Sequence, residues 1–256
     1  MTTTLGYQLD RIITIGATPE VVFRFFTDTS RWAAWWGAGS SIDPRPGGRV
    51  LVVHPGAVEA SGEVVEIQAP ERIVFTYGYA SGKPFPPGGS RVTIRLEPHQ
   101  NGTQLHLTHE FAEDDSRGEH TQGWRYQLAL FANVVTNEVN QHAEGRVDDW
   151  FAAWSNEDSA ARRESLSRIA LPEVSFADRF SHTEGLEDLA LHLDAARRFM
   201  PGLALRRQGS VRHCQGYALA DWVAVTPDGQ QKATGTNIFV FDPIGRIAAV
   251  TGFWAT

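Results

Sequence analysis

Thr234-Gly-Thr-Asn-Ile-Phe-Val-Phe-Asp-Pro-Ile-Gly-Arg-Ile-Ala-Ala-Val-Thr-Gly-Phe-Trp254 reads as two long strands around a tight turn at Asp242-Pro-Ile-Gly245. The first strand carries one amide, Asn237, among mainly apolar side chains. Such a hairpin, preceded by helical stretches, suits a curved sheet that closes as a cone around a small apolar pocket. The elements before it fit that plan. Val147, Trp150, Phe151 and Trp154 fall on one face of a helix that stops near Ser155-Asn156, and a second helical stretch covers Asp158 to about Ile169. Val174 to Ala177 reads as a short strand. Leu186, Leu189, Leu193 and Ala196 make the stripe of a third helix, ended by Pro201-Gly202. Strands are then expected at about 203–214, 217–226, 230–241 and 246–254. Asp228-Gly229 is a good hairpin signal between the middle two.

A chain of 256 residues exceeds ordinary single-domain size, so two domains are expected, 1–143 and 144–256. Net charge is −7, from 23 basic and 30 acidic residues, and each half is acidic on balance. A phosphate-backbone partner is therefore disfavoured, and no nucleic acid is expected. The single Cys214 excludes an internal disulfide. No apolar N-terminal run and no membrane-length apolar stretch occurs, so a cytoplasmic protein without membrane contact is expected. Neither a metal-ligand cluster nor a Gly-rich nucleotide loop is visible, so no metal and no cofactor is expected.

The first half opens with an alternating strand over Gln8–Ile15. Thr18-Pro-Glu20 then starts a helix with core residues Val21, Val22, Phe25 and Phe26, expected to end near Asp28. Trp32, Trp35 and Trp36 follow; they either plug the sheet or wall a cavity. Arg45-Pro-Gly-Gly48 is a turn, and strands are expected at about 49–54, 61–68, 72–79, 90–97 and 103–111, an antiparallel set with short breaks. From Arg117 to about Gln141, Trp124, Leu128, Phe131 and Val135 form an apolar stripe. That helix would lie across the concave face of the sheet. Trp32, Trp36, Phe75, Tyr77, Trp124 and Leu128 are the residues expected to face the enclosed space. His109 and Glu110 fall on opposite strand faces, which disfavours an acid–base pair, and His109 and His120 read as structural histidines.

The run Ile15-Gly-Ala-Thr-Pro-Glu-Val-Val-Phe23, Trp35-Trp36, Arg45-Pro-Gly-Gly48, Gly62-Glu-Val-Val-Glu-Ile67 and Pro70-Glu-Arg-Ile-Val-Phe75 resembles the activator-of-heat-shock-ATPase-like branch of the START-like (SRPBCC) superfamily. Gly102-Thr-Gln-Leu-His-Leu-Thr-His109 and His120-Thr-Gln-Gly-Trp124 fit it too. The resemblance implies a helix-grip fold that holds or transforms apolar small molecules. Residues 147–254, through Trp150-Phe-Ala-Ala-Trp-Ser-Asn-Glu-Asp158, Val174-Ser-Phe-Ala-Asp178, Phe199-Met-Pro-Gly202, Phe239-Val-Phe-Asp-Pro-Ile-Gly-Arg-Ile247 and Gly252-Phe-Trp254, resemble the SnoaL-like branch of the nuclear-transport-factor-2-like superfamily. That branch implies an α+β cone, with polyketide cyclases, steroid isomerases and non-catalytic binders among its members. Carried over by position, the resemblance makes Asp178 a general base, with Asn237 and Trp150 as donors toward a substrate oxygen. It thus implies an isomerase- or cyclase-type proton transfer. Its usual acid and tyrosine donors are replaced here, which favours a non-catalytic ligand-binding or regulatory alternative. His213 and Trp254 are further candidate pocket residues. A small hydrophobic ligand is the expected partner, together with a homodimer through the second half.

Overall fold

The computed structural model describes residues 4–255, which form two compact units divided between Thr136 and Asn137. Both mix helices with antiparallel-rich sheet, an α+β architecture.

In the first unit seven strands form one sheet in the order β1-β7-β6-β5-β4-β3-β2. They are β1 (Tyr7–Ile15), β2 (Ser41–Ile42), β3 (Arg49–His54), β4 (Val58–Gln68), β5 (Arg72–Tyr77), β6 (Ser90–His99) and β7 (Gly102–Phe111). All pairings in it are antiparallel, and the first strand closes against the last, Leu9 opposite His109. Buried and exposed residues alternate along β6 and β7, so one face of the sheet there is buried. Gly62 on β4 is required by a close approach: a Cβ there would lie 1.8 Å from the Thr76 carbonyl oxygen.

The helical expectation near the N-terminus needs a correction. The segment is two helices, α1 (Pro19–Arg24) and α2 (Thr29–Trp36). Asp28 does not end a helix; it begins one, its carboxylate accepting from the Arg31 N–H at 2.9 Å. The three tryptophans are therefore carried on a helix rather than a loop. Trp32 and Trp35 sink into the core with Phe26 and Phe131, with ring centroids 5.2 Å apart between the two indoles. The long helix α3 (Asp114–Val139) presents Trp124, Leu128, Phe131, Ala132 and Val135 as its buried stripe.

The second unit holds α4 (Ala143–Ser155), α5 (Ser159–Ile169), α6 (Leu186–Phe199) and a six-stranded sheet in the order β10-β11-β12-β13-β8-β9. Its strands are β8 (Ala170–Ala177), β9 (His182–Glu184), β10 (Ala204–Cys214), β11 (Tyr217–Val225), β12 (Gln231–Phe241) and β13 (Ile247–Trp254). The β13–β8 pair is parallel and the others antiparallel. Asp158 caps α5 by accepting from the Ala160 and Ala161 N–H groups. Short β9 has no counterpart in the periodicity reading, because three residues are too few to show a period. Val147, Trp150, Phe151, Leu189, Leu193, Trp222, Phe239 and Val250 are part of the core between helices and sheet.

Candidate functional site

The first unit contains a cavity of ≈ 270 Å³ between the sheet and α3. It lies just below the small end of ordinary ligand pockets. Trp36, Tyr77 and Trp124 line it, with His54, Tyr79 and His120 supplying the polar groups. Trp32, Phe75 and Leu128, expected to face this space, are instead core residues, 0%, 0% and 2% exposed, and do not line it. Trp32 donates its indole N–H to the Leu51 carbonyl at 3.0 Å, which fixes it under the sheet.

The polar groups are hydrogen-bonded in two pairs, His120 with Tyr79 and His54 with Tyr77. His120 Nδ1 lies 2.7 Å from the Ser116 carbonyl oxygen, which can only accept, so that nitrogen carries the hydrogen. Burial pushes His120 below the ordinary imidazole value, so its Nε2 holds a lone pair at neutral pH. Tyr79 Oη lies 3.1 Å from that Nε2 and donates to it. Burial first, then the nearby Tyr79 phenol, raises the Tyr77 phenol far above its usual range. His54 Nε2 stands 2.7 Å from Tyr77 Oη. His54 is likewise lowered, first by burial and then by the nearby His120.

His109 sits behind this wall and is fully buried. The Trp124 indole N–H donates to its Nδ1 at 2.9 Å, so its Nε2 hydrogen goes to Ser90 Oγ at 2.8 Å, and Ser90 donates to the Tyr77 carbonyl. Glu110, next along β7, points the other way and pairs with Arg91 at 2.6 Å.

In the second unit, strand register brings two of the three expected catalytic residues together. Asn237 on β12 pairs with Gly252 on β13, and Asp178 follows the end of β8, which lies beside β13. A Cβ on Gly252 would lie 3.1 Å from Asn237 Oδ1 and 3.4 Å from the Asp178 Cβ. The polar atoms, however, are engaged. Asp178 Oδ1 accepts from the Phe180 N–H, the Ser181 N–H and Ser181 Oγ at 2.8–2.9 Å, and Oδ2 accepts from Trp254 Nε1 at 3.0 Å. Three donors crowd Oδ1, as in a turn-capping Asp, while Oδ2 has one donor and keeps a lone pair. Trp222 Nε1 donates to Asn237 Oδ1 at 2.9 Å.

Trp150 belongs to the core. It is fully buried against Phe176, Phe239 and Trp154, and its indole nitrogen has no hydrogen-bond partner. His213 is held by Asn137 Oδ1 at 2.6 Å and shares no partner with Asp178 or Asn237. Asp178→Ala strands three N–H donors and is expected to cost roughly 1–3 kcal/mol of second-unit stability. Urea unfolding of the two proteins checks it.

Residues 16–136 match the family model described as Activator of Hsp90 ATPase homolog 1-like protein. The first half belongs to that family. Among solved structures, an AHSA1-like protein from Rhizobium etli is 31% identical, covering 50% of this chain and 81% of its own, with a TM-score of 0.42. The Aha1 dimer from Colwellia psychrerythraea is 18% identical over 48% of this chain and 90% of its own, TM-score 0.42. A SnoaL-like family protein from Agrobacterium tumefaciens is 27% identical over 44% of this chain and 96% of its own, also at a TM-score of 0.42. No curated protein matches the chain. The second half resembles the SnoaL-like branch in its order of elements, and no helix among the described residues is long and apolar enough to cross a membrane.

Within the AHSA1-like half, the sequence reading missed His54 and Tyr79 and left His120 as structural. One signal was available. Tyr77 and Tyr79 are two residues apart, so a strand continuing through them would present both on one face. His54 lies on a different strand, and only tertiary pairing brings it opposite Tyr77.

Proposed function

We propose that the protein binds a small hydrophobic molecule in the cavity of its AHSA1-like half. The observation that carries this reading is the aromatic enclosure itself. Trp36, Tyr77, Tyr79 and Trp124 wall the ≈ 270 Å³ space, with polar atoms grouped on His54, the two tyrosines and His120. Apolar walls with a few grouped polar atoms are what a pocket for a flat organic ligand requires. Titration with 2-methoxynaphthalene, followed through indole fluorescence, tests it. Saturable one-to-one quenching is the expected result, and no quenching up to the solubility of the probe overturns the reading.

A second reading is cofactor-free proton transfer on a polyketide- or steroid-like ketone in the second unit, with Asp178 as base. The meeting of Asp178 and Asn237 about Gly252 favours it. The four donors on the carboxylate weigh against it, because they leave a single lone pair, on Oδ2, for a substrate. Its test is solvent deuterium uptake by an added cyclic ketone, expected to vanish in Asp178→Ala.

A further inference from the structure

The rings around the first-unit cavity suit more than an apolar ligand. Two indoles and three phenols, of Trp36, Trp124, Tyr77, Tyr79 and Tyr126, line it, and no Leu, Ile, Val or Met side chain does. A pocket for a purely apolar molecule has no need to exclude aliphatic side chains, since burial of either kind of surface is favourable. Aromatic rings differ in carrying a negative π face, which attracts a cation. Their planes are also crossed. Trp124 stands at 70° to Trp36 with centroids 5.6 Å apart, and Tyr79 at 79° to Tyr77, also at 5.6 Å. Trp36 and Tyr77 are 24° from parallel. A rounded head among planes so arranged can meet rings on several sides.

Charge points the same way. No Lys or Arg lines the cavity. The His54 and His120 rings that do are pushed below the ordinary imidazole value, mainly by burial, and stay uncharged at neutral pH. The charged side chain that acts on the wall is Glu119, an exposed carboxylate felt by both Tyr79 and His120. The space is thus aromatic, free of positive side chains and close to a negative one.

We propose that this cavity takes a free organic cation: a flat apolar body with a methylated ammonium head, held by cation–π attraction to the rings of Trp36, Tyr77, Tyr79, Trp124 and Tyr126. The inference rests on the binding reading above and adds the chemical class of the ligand. A fully methylated ammonium has no N–H, so it asks nothing of the hydrogen bonds along the wall. Its methyl groups pack as apolar surface, and its charge adds the attraction to the π systems. A free molecule is favoured because Trp36, Tyr77 and Trp124 are only 6%, 3% and 4% exposed, so the head sits in a nearly closed space.

The probes are phenyltrimethylammonium and tert-butylbenzene, which share one shape and differ in a single nitrogen and its charge. Both are titrated at low ionic strength and followed through indole fluorescence. The wild-type protein is expected to bind the cation roughly tenfold more tightly, the size of cation–π attraction in a desolvated site. Tyr79→Leu keeps an apolar side chain and removes one ring; the expected ratio falls about threefold. Glu119→Gln, at an exposed position, is expected to weaken the cation alone by about twofold, a difference that high salt removes. The wild-type comparison and Glu119→Gln decide even where Tyr79→Leu fails to fold. Nα-acetyl-trimethyllysine methylamide carries the same head on a peptide side chain. It is expected to bind more weakly than phenyltrimethylammonium, and tighter binding overturns the assignment to a free molecule. Equal or tighter binding of tert-butylbenzene by the wild-type protein overturns the cation and leaves the binding reading standing. An unchanged ratio in both variants overturns the assignment to this cavity. Binding of neither probe by a protein that binds 2-methoxynaphthalene overturns the cation alone, and binding of none of the three overturns both.

Discussion

Gly123→Leu is expected to weaken 2-methoxynaphthalene binding at least tenfold without lowering the melting temperature. Gly123 lies in α3 and borders the cavity. A Cβ built there meets no atom within 4 Å, so the larger side chain has room at its root. From that root a leucine reaches over the cavity beside Tyr126 and Gln127, which border the same opening. A ligand must then displace or deform it, and overpacking of this kind costs about 1–3 kcal/mol. Each 1.4 kcal/mol is about a factor of ten in affinity. Helix stability moves the other way, since glycine is about 0.8–1 kcal/mol worse than alanine inside a helix and leucine is close to alanine. Lost affinity with a melting temperature held or raised therefore identifies the cavity as the binding site. Affinity within twofold of wild type places the ligand elsewhere.

The same helix shows what could be read from the chain and what could not. Its apolar stripe at Trp124, Leu128, Phe131 and Val135 is periodic, and periodicity fixes the buried face of a helix. It does not say how deep each residue lies. Trp124 reaches the cavity while Leu128, one turn on, is sealed in the core. Depth depends on what the sheet places opposite, and that is set by strand register. The tryptophan helix behaves likewise. Composition singled out Trp32, Trp35 and Trp36, but the capping role of Asp28 decides that they ride a helix. On it, only Trp36 turns to the cavity, and Trp32 is tied to Leu51.

In the second half, family position pointed to Asp178 and Asn237, and the sheet does set them side by side. The donors that occupy them, Trp254 and Trp222, come from other strands and could not be assigned from spacing. His54 was invisible for the same reason. Nothing in its own strand marks it, and its partner Tyr77 is 23 residues away.

Acid is expected to destabilise the AHSA1-like half, and His109 is the main cause. The ring is fully buried, and burial first, then the nearby His120, push it well below the ordinary imidazole value. Its two nitrogens already have matched partners, one accepting from Trp124 and one donating to Ser90. A proton added at Nδ1 would set N–H against N–H. The unfolded chain has no such restriction and takes up its proton near pH 6.5.

Above that pH both states are neutral and the residue contributes no pH dependence. Below it the unfolded state holds the extra proton, so stability falls with pH, by about 1.4 kcal/mol per unit for one such group. The loss continues down to the folded-state value of the ring. His54 and His120 shift in the same direction, mainly through burial, with His120 also opposing the charging of His54 and the Ser116 carbonyl partly offsetting the shift of His120. They are only partly buried, so solvent screens their share. Glu119, which favours charged His120, works against the trend, and the Tyr77 and Tyr79 phenols stay neutral across this range.

His109→Gln separates the contributions, because a glutamine can accept from Trp124 and donate toward Ser90 but does not titrate. Urea unfolding at pH 7.5, 6.5, 5.5 and 5.0 is expected to show a steep acid loss in the wild-type protein and a shallower one in the variant, whatever the variant's stability at neutral pH. Parallel slopes in the two proteins would place the acid sensitivity outside His109. They would also remove the fixed tautomer that orients Trp124 at the cavity wall.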